Sequence, residues 1–281
     1  MKSYAYYNGR FGKRDEICVP LSDRSIFFGD CVYDAAIGSY DRILWEEEHI
    51  ERLLSNAKRL GIKHPYTKQS ISQILHEVAI KSCIESYFIY FSISRQSERR
   101  VHSAKYSDGS GLLITVDELQ IAANQSPLKL ITKDDLRYGF CDIKTTNLLP
   151  AVIASTEAEK CGADEVVFIK NGVVTECAKS NISILKQGRL ITHPKSNRIL
   201  PGITREHLLS IATENGIEII QRPFTVSELL SADEILITSS SKLCKVANQI
   251  DGISVGGKDV RHASLLCKKM YEHYSLFCLK N

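Results

Sequence analysis

The sequence predicts an α+β protein of two domains, and three observations lead to that prediction. The chain has 281 residues, enough for two domains with their own cores at roughly 150 residues per domain. Helical and β-rich hydrophobic patterns are mixed along the chain. Between residues 117 and 128 the pattern loses its period, and turn-forming residues take over. We therefore place an N-terminal α/β domain at residues 1–118, an interdomain linker at 119–128 and a C-terminal domain at 129–281.

The first domain contains two predicted helices followed by two predicted strands. Residues 46–60 carry apolar side chains at helical spacing, and Gly61 stands in the usual position after a helix. Residues 67–81 repeat the helical spacing. The β-rich runs 87–94 and 112–116 then predict strands, the second of which ends the domain.

The second domain mixes a hairpin, two helices and a buried strand. Residues 166–175 read as two antiparallel strands around an Asn-Gly turn. A helix is predicted at residues 204–215. The Thr-x-x-Glu pattern at 225–228 is a capping box that opens a short helix, and residues 234–238 form a buried strand before a run of serines.

Composition and charge exclude several classes of protein. Hydrophobic residues make up 43% and charged residues 25%, which excludes fibres, collagen and low-complexity linkers. A net charge of +3 is too small and too diffuse for a protein that binds nucleic acid through its backbone. No segment approaches the ~18 uninterrupted apolar residues of a membrane helix, and the first ten residues lack an apolar signal core. We expect a cytoplasmic protein with no membrane or nucleic-acid partner.

The nine cysteines form neither a CxxC pair nor a tight cluster. This pattern predicts free thiols in a reducing compartment rather than a disulfide framework or a zinc site. No metal ligand set is predicted.

A lysine within an apolar and small-polar segment is the first candidate for chemistry. Lys144 lies in the stretch 141–150 rather than on a charged face. A lone lysine is most often solvated, and that interpretation stays open from the residues alone. If Lys144 is desolvated, its amine becomes a usable nucleophile because burial lowers its pKa, as a Schiff-base lysine requires.

Three further features are weak when each is taken alone. Glu176 ends the second strand of the Asn-Gly hairpin, where it equally fits a hairpin-end charge. Residues 200–205 lead a Gly turn into a helix N-terminus, whose N–H groups and dipole favour a phosphate. The hydroxyl run 238–241 supplies donors for the same phosphate, although such loops are usually only loops.

Four segments, taken together, match one known family in order and spacing over nearly the whole chain. They are Phe28-Gly29-Asp30-Cys31-Val32-Tyr33, Asp142-Ile143-Lys144-Thr145-Thr146-Asn147-Leu148-Leu149, Val174-Thr175-Glu176 with Ser180-Asn181, and Gly202-Ile203-Thr204-Arg205. This set resembles the class IV aminotransferases, the fold-type IV enzymes that use pyridoxal 5′-phosphate. The resemblance implies a smaller N-terminal α/β domain and a larger C-terminal pseudo-barrel domain that binds the cofactor.

The resemblance also implies roles for the cofactor-binding residues. Lys144 is implied to be the Schiff-base lysine and to move the proton between the substrate Cα and the cofactor C4′ carbon. Glu176 is implied to pair with the pyridine nitrogen and keep it protonated. Leu200 is implied to pack against the ring face. The implied phosphate ligands are Arg52, the backbone of Ile203 and Thr204, and the hydroxyls of Ser239 and Ser240.

The loop after the strand 87–94 bears on the substrate. Its Arg-x-His element, Arg100 and His102, resembles the carboxylate-binding loop of bacterial D-amino-acid aminotransferases. With Tyr33 these residues are implied to bind one carboxylate through charge-assisted hydrogen bonds, and Tyr90 is a further pocket residue. In the family the arginine and histidine come from the neighbouring subunit, so the resemblance implies a homodimer with a shared active site.

The leading hypothesis is a D-amino-acid transaminase of the D-alanine type. It would pass the amino group to a 2-oxo acid such as 2-oxoglutarate by a ping-pong mechanism. The alternatives are an aminodeoxychorismate lyase, which eliminates pyruvate, and a branched-chain L-amino-acid aminotransferase, in which the Arg-x-His element is not expected. The fourth hypothesis is a binding protein without catalytic activity. The intact Lys144 argues against it.

Two departures from the D-amino-acid pattern leave the substrate open. Cys177-Ala178-Lys179 replaces the usual small Gly and Ser residues, and Cys-Ala is somewhat closer to the lyases. Asp34 replaces the usual Glu after Tyr33. We expect these changes to alter fine specificity and not the cofactor.

Overall fold

The computed structural model describes residues 2–121 and 126–279. The chain divides into two compact units, Met1–Ile121 with Ile143–Asn147, and Ala122–Asp142 with Leu148–Asn281. The segment that contains Lys144 therefore groups with the first unit. The linker at 119–128 stays a prediction, and its residues 122–125 lie outside the described residues.

The first unit is built on a six-stranded antiparallel sheet in the order β2-β1-β6-β5-β3-β4. Its strands are β1 (Ser3–Tyr7), β2 (Arg10–Gly12), β3 (Cys31–Ser39), β4 (Arg42–Ile43), β5 (Ser86–Ser97) and β6 (Ser107–Glu118). Its helices are α1 (Ser25–Phe28), α2 (Glu46–Arg59) and α3 (Lys68–Ser82), with short 3-10 turns at Arg14–Glu16 and Ala104–Tyr106.

The register of β3 and β5 separates a core face from a second face that carries tyrosines. Val32 and Ile89 are fully buried in the core of the first unit. Tyr33 pairs with Ser92, and Tyr90 pairs with Ala35. Residues opposite each other on antiparallel strands point to the same face, and faces alternate along a strand. Tyr33 and Tyr90 therefore share the face away from the core.

The two longer helices of the first unit begin and end close to the predicted bounds. In α2 the residues Ile50, Leu53 and Ala57 are buried, as the apolar spacing predicts. The helix α3 begins after Thr67, whose hydroxyl accepts a hydrogen bond from the Ser70 N–H at 3.1 Å. Both predicted helices are confirmed to within one residue.

The second unit is built on a ten-stranded mixed sheet in the order β12-β11-β10-β14-β15-β7-β8-β9-β13, with β16 paired to β15. Its strands are β7 (Leu128–Asp134), β8 (Glu165–Lys170), β9 (Val173–Cys177), β10 (Asn181–Lys186), β11 (Arg189–Thr192), β12 (Ile219–Gln221), β13 (Phe224–Thr225), β14 (Glu234–Ser239), β15 (Leu243–Ile250) and β16 (Ile253–Ser254). Its helices are α4 (Leu149–Lys160), α5 (Ile203–Glu214), α6 (Val226–Leu230) and α7 (Val260–Leu279).

Local signals place the elements of the second unit well. The turn between β8 and β9 has Asn171 at φ 53° and Gly172 at φ 76°, the left-handed pair that a two-residue hairpin requires. The capping box is present at α6, where the Thr225 hydroxyl accepts from the Glu228 N–H at 3.2 Å. The α+β prediction is confirmed.

Within the described ranges no helix has the length and apolar character needed to cross a membrane. Nor does any group of three or more His, Cys, Asp or Glu side chains in those ranges have an arrangement suited to a metal ion. No disulfide links the cysteines of the described residues.

Candidate active site

The lysine segment runs along the start of β3. The Tyr33 N–H donates to the Lys144 carbonyl at 2.9 Å, and Val32 forms an antiparallel bridge with Thr145. The half-buried Lys144 side chain places its Nζ 4.4 Å from the centroid of the Tyr33 ring. Backbone pairing and a cation–π contact thus fix both ends of this lysine.

A close approach of the Asn147 side chain to the Gly29 backbone holds the far end of the segment. Asn147 Nδ2 donates to the Gly29 carbonyl at 2.9 Å. Gly29 has φ +59°, and a Cβ added there would lie 2.4 Å from Asn147 Oδ1. Only glycine fits both the left-handed backbone and this approach.

Two tyrosines stack beside the lysine. The rings of Tyr33 and Tyr90 have centroids 5.2 Å apart and planes 25° apart. Burial is the main cause that raises the pKa of Tyr90 above its ordinary value. Its phenol therefore keeps its proton near neutral pH and can donate a hydrogen bond. The structure brings Lys144, Tyr33 and Tyr90 together as one group.

The predicted phosphate arginine is held by a buried carboxylate. Arg52 donates from Nε and Nη2 to the two oxygens of Asp34, each at 2.8 Å. His49 Nδ1 lies 2.7 Å from Asp34 Oδ1. An ionised carboxylate only accepts hydrogen bonds, so His49 carries its proton on Nδ1.

Opposing effects set the pKa values of this trio. Burial alone would raise the pKa of Asp34, but Arg52 and His49 outweigh burial and hold that pKa far below its usual range. Burial lowers the pKa of His49, and the nearby Asp34 charge only partly opposes that effect. The trio therefore consists of a carboxylate, a guanidinium and a neutral imidazole at neutral pH.

The Arg-x-His loop is exposed and packs against two aromatic rings. The Arg100 guanidinium lies 5.4 Å from the centroids of Phe27 and Phe28. The His102 ring lies 5.3 Å from that of Phe28. The structure thus places Arg100 and His102 together as a second group of predicted site residues in the first unit.

In the second unit, Glu176 lies near the end of β9 and is almost fully buried, at 5% exposure. Its Oε2 accepts from Asn181 Nδ2 at 2.9 Å and from the Leu200 N–H at 3.0 Å. Its Oε1 pairs with Arg137 Nη1. Three donors from three parts of the unit therefore hold this carboxylate in one orientation.

Arg137 links Glu176 to a second buried carboxylate. Its Nε and Nη2 donate to the two oxygens of Asp135 at 2.9 and 2.8 Å. Burial would lower the pKa of Arg137, but Asp135 and Glu176 outweigh burial and raise it. The guanidinium is a permanent cation between two carboxylates.

The turn before α5 approaches Asn181 closely. Asn181 Nδ2 also donates to the Leu200 carbonyl at 2.9 Å. A Cβ added at Gly202 would lie 2.0 Å from Asn181 Oδ1. Leu200 is thus tied to Asn181 and Glu176, and glycine at 202 makes that packing possible.

The start of α5 has the character of an anion site. The helix begins at Ile203, and in the described part of the chain no side chain caps it. Its first N–H groups have no partner inside the helix. The hydroxyls of Thr204, Thr238 and Ser239 are buried without a hydrogen-bond partner among residues 2–121 and 126–279.

Strand pairing brings these groups to one place. Thr238 pairs with Asn181 in the β10–β14 register, and Gly202 approaches Asn181 as described above. Ser239 ends β14, and the half-buried Ser240 follows it. Partnerless buried hydroxyls beside a helix N-terminus fit a phosphate group, as pyridoxal phosphate would supply.

Sequence reasoning assigned no role to four supporting residues. Asp135 and Arg137 lie in a polar stretch of the sequence. Such a stretch is typical of a surface ion pair and does not predict their burial. No pattern in the sequence singles out His49, but it lies three residues before Arg52 on α2, and that spacing puts both on one helix face. Asn181 was quoted in a motif without a role.

Comparisons with known proteins identify the family of this chain. The family model described as amino-transferase class IV matches residues 32–249. The D-alanine aminotransferase of Bacillus licheniformis is 34% identical over 255 residues, which covers 89% of each chain.

Solved structures share the fold. A branched-chain aminotransferase from Thermoproteus uzoniensis with norvaline has a TM-score of 0.88 at 22% identity, covering 99% of this chain and 96% of that chain. A branched-chain aminotransferase from Thermobaculum terrenum in its PLP form has a TM-score of 0.82 at 19% identity, covering 98% and 96%. At such identities the likeness concerns the fold.

Proposed function

This chain belongs to the class IV aminotransferases, and from that premise we propose that it transfers the amino group of D-alanine-type amino acids to a 2-oxo acid such as 2-oxoglutarate. Family membership and fold confirm the predicted transaminase class and fold-type IV architecture. The preference for D-amino acids is supported by the relative that is 34% identical and by the Arg100 and His102 pair.

The observation that carries the proposal is the setting of Lys144. Its Nζ lies over the Tyr33 ring at 4.4 Å, in a segment paired to β3. This lysine is anchored, half-buried and next to a phenol, and it is not a solvated surface side chain. Lys144 is thus suited to move the proton between the substrate Cα and the cofactor C4′ carbon.

Pyridoxal phosphate, when bound, supplies the carbon that receives the amino group and a ring that acts as an electron sink. When the cofactor is bound, Glu176 would hold a proton at the pyridine nitrogen and Leu200 would pack against the ring. Its phosphate would be held by Arg52, the N–H groups of Ile203 and Thr204, and the hydroxyls of Ser239 and Ser240. The buried hydroxyls without partners among the described residues support this assignment.

Substrate recognition is assigned to the tyrosine face and the Arg-x-His loop. Tyr33, Arg100 and His102 bind the substrate carboxylate, because a guanidinium fork, an imidazole and a phenol all donate to it. Tyr90 lines the pocket beside Tyr33. A homodimer with a shared active site and a cytoplasmic location belong to the same proposal.

A half-reaction tests the proposal. Purified holoenzyme is mixed with D-alanine in the absence of any 2-oxo acid, and the visible absorption band of the cofactor is followed. We expect the band to disappear with release of one pyruvate per site. L-Alanine is the matched control because it differs only in configuration, and Lys144→Ala should show no change with either substrate.

Other substrates distinguish the alternatives. Loss of the band with L-leucine and not with D-alanine would move the protein to the branched-chain group. Pyruvate released from aminodeoxychorismate, with no response to D-alanine, would make it a lyase. A holoenzyme whose band responds to none of these compounds would overturn the proposal.

A further inference from the structure

A buried arginine outside the predicted site holds the backbone of the Arg-x-His loop. Arg24 is 4% exposed. Its Nη1 donates to the Val101 carbonyl at 2.6 Å, and its Nη2 donates to the His102 carbonyl at 3.0 Å. Val101 and His102 are the two residues that directly follow Arg100. One guanidinium thus holds the peptide groups on both sides of the His102 Cα.

The Arg24 guanidinium is itself fixed from the opposite side. Its Nε donates to Asp30 Oδ2 at 2.8 Å. The same oxygen accepts from Arg95 Nε at 3.0 Å. Arg95 in turn donates to the carbonyls of Leu60 and Gly61 at 2.6 and 2.9 Å. The Arg-x-His loop is therefore tied through two arginines and one carboxylate to the end of α2.

An aromatic contact ties the same arginine to the loop side chains. The Arg24 guanidinium lies 4.6 Å from the Phe28 centroid. Phe28 also contacts Arg100 and His102, at 5.4 and 5.3 Å. Arg24 thus orders both the backbone of the loop and the ring against which its two side chains rest.

The short helix that carries Phe28 has its own anchor. Asp23 Oδ1 accepts from the Ser25 N–H at 2.9 Å and from the Ser25 hydroxyl at 2.6 Å. Asp23 Oδ2 accepts from Ser94 Oγ at 2.5 Å and from the Tyr7 hydroxyl at 3.0 Å. Asp23 therefore anchors the helix that carries Phe28 to β5 and β1.

We propose that Arg24 is a positioning residue for recognition of the substrate carboxylate, acting through the backbone of Val101 and His102. This inference rests on the proposed function, in which Arg100 and His102 bind that carboxylate. Arg100 and His102 are exposed, and Arg24 is the buried side chain that holds the carbonyls of Val101 and His102 beside them. Lysine cannot replace it, because an ammonium lacks the planar fork that reaches three acceptors.

The test compares Arg24→Lys with wild-type holoenzyme. We expect the KM for D-alanine to rise about tenfold to a hundredfold, as small misplacement of a binding group does, while kcat and the cofactor band stay close to wild type. The inhibition constant of propionate should rise by the same factor. Propionate has a carboxylate and no amino group, so it reports carboxylate binding alone, which a merely structural role of Arg24 would not change selectively.

Two further variants separate the possible failures. Arg95→Lys alters the same Asp30 network without touching the loop carbonyls, and we expect it to change the propionate constant much less than Arg24→Lys does. Equal effects of Arg95→Lys and Arg24→Lys would overturn the inference. If Arg100→Ala raises both constants while Arg24→Lys changes neither, the inference alone fails. If Arg100→Ala changes neither constant, the proposed carboxylate site fails with it.

Discussion

The Asp34 carboxylate and the Arg52 guanidinium form a bidentate ion pair, with both hydrogen bonds at 2.8 Å. The Asp34 side chain is completely buried, whereas 12% of the Arg52 side chain is exposed. His49 adds a third hydrogen bond to the same carboxylate. Arg52 thus enters any phosphate contact already oriented by the protein.

Replacing Asp34 by Asn should destabilise the protein strongly. The amide presents an NH₂ group where Arg52 and His49 need an acceptor, and a buried cation loses its counter-charge. We expect the free energy of unfolding to fall by about 3–5 kcal/mol, measured by urea denaturation. The control is Asp117→Asn, which removes the carboxylate of a pair whose Arg14 side chain is 60% exposed, where the loss should stay below about 1 kcal/mol. Equal losses would contradict the assignment.

Acidification from pH 7 to pH 5 should lower stability through His49. Burial lowers the pKa of His49 in the folded protein, so the unfolded chain, with a histidine pKa of about 6.5, binds the proton first. The unfolded state then holds more protons and stability falls as the pH drops. His49→Gln should reduce this slope, by at most about 1.4 kcal/mol per pH unit.

Other histidines also contribute to the pH dependence of stability. Burial lowers the pKa of His64 and His193, which adds slope of the same sign. A hydrogen bond to Glu46 raises the pKa of His76, which opposes it. His76→Gln offers the contrast, since removing a histidine whose pKa is raised in the folded protein should steepen the slope. An unaltered slope in His49→Gln would disprove the buried neutral imidazole.

Arg137→Lys should slow turnover more than it weakens substrate binding. Lysine keeps the charge but cannot bridge Asp135 and Glu176 as the guanidinium fork does. Loss of one charge-assisted hydrogen bond to Glu176 corresponds to about a tenfold lower kcat. Steady-state kinetics with D-alanine would measure kcat and KM separately. Arg222→Lys, in an ion pair with Glu228 on a side chain that is 42% exposed, should leave kcat unchanged.

Removing the partnerless hydroxyls near α5 should weaken cofactor binding without harming the apoprotein. Thr204→Val and Ser239→Ala each delete a buried polar atom that has no partner among the described residues. We expect each to leave the apoprotein as stable or to stabilise it by up to about 1 kcal/mol. Affinity for pyridoxal phosphate should fall about tenfold, measured by equilibrium titration.

A serine elsewhere in the sheet provides the matched control for these hydroxyls. Ser183 Oγ is also buried without a partner among the described residues, but it lies outside the predicted phosphate set. Ser183→Ala should change the apoprotein in the same direction and leave cofactor affinity unaltered. A loss of affinity equal to that of Ser239→Ala would count against the phosphate site.

Elements whose signals are local could be predicted from the sequence. The capping residue Thr67 fixes the start of α3, and the Asn171-Gly172 turn fixes the hairpin, because each depends on neighbours a few residues away. The helix α4 escaped prediction because its buried positions are small alanines, and Leu149 and Val152 face outward. Such a helix gives no strong apolar period.

Only the site residues that stand in recognisable sequence motifs could be predicted. Lys144 and Glu176 were found because each stands in a segment with a recognisable order, and their roles stay predictions. The supporting contacts join residues far apart in sequence. Arg24 bonds to a carbonyl 78 residues away, and Arg137 bonds to Glu176 across 39 residues. No periodicity or spacing in one sequence encodes such a pairing.

The grouping of Ile143–Asn147 with the first unit limits how the chain can be divided. A gene cut at the linker would put the lysine segment on one fragment and its strand partner, Val32, on the other. Exchange of halves between relatives would also have to preserve the fit of Gly29 against Asn147. The two halves of the chain on either side of the linker are therefore not interchangeable modules, and we expect changes at Gly29 and Asn147 to be inherited as matched pairs.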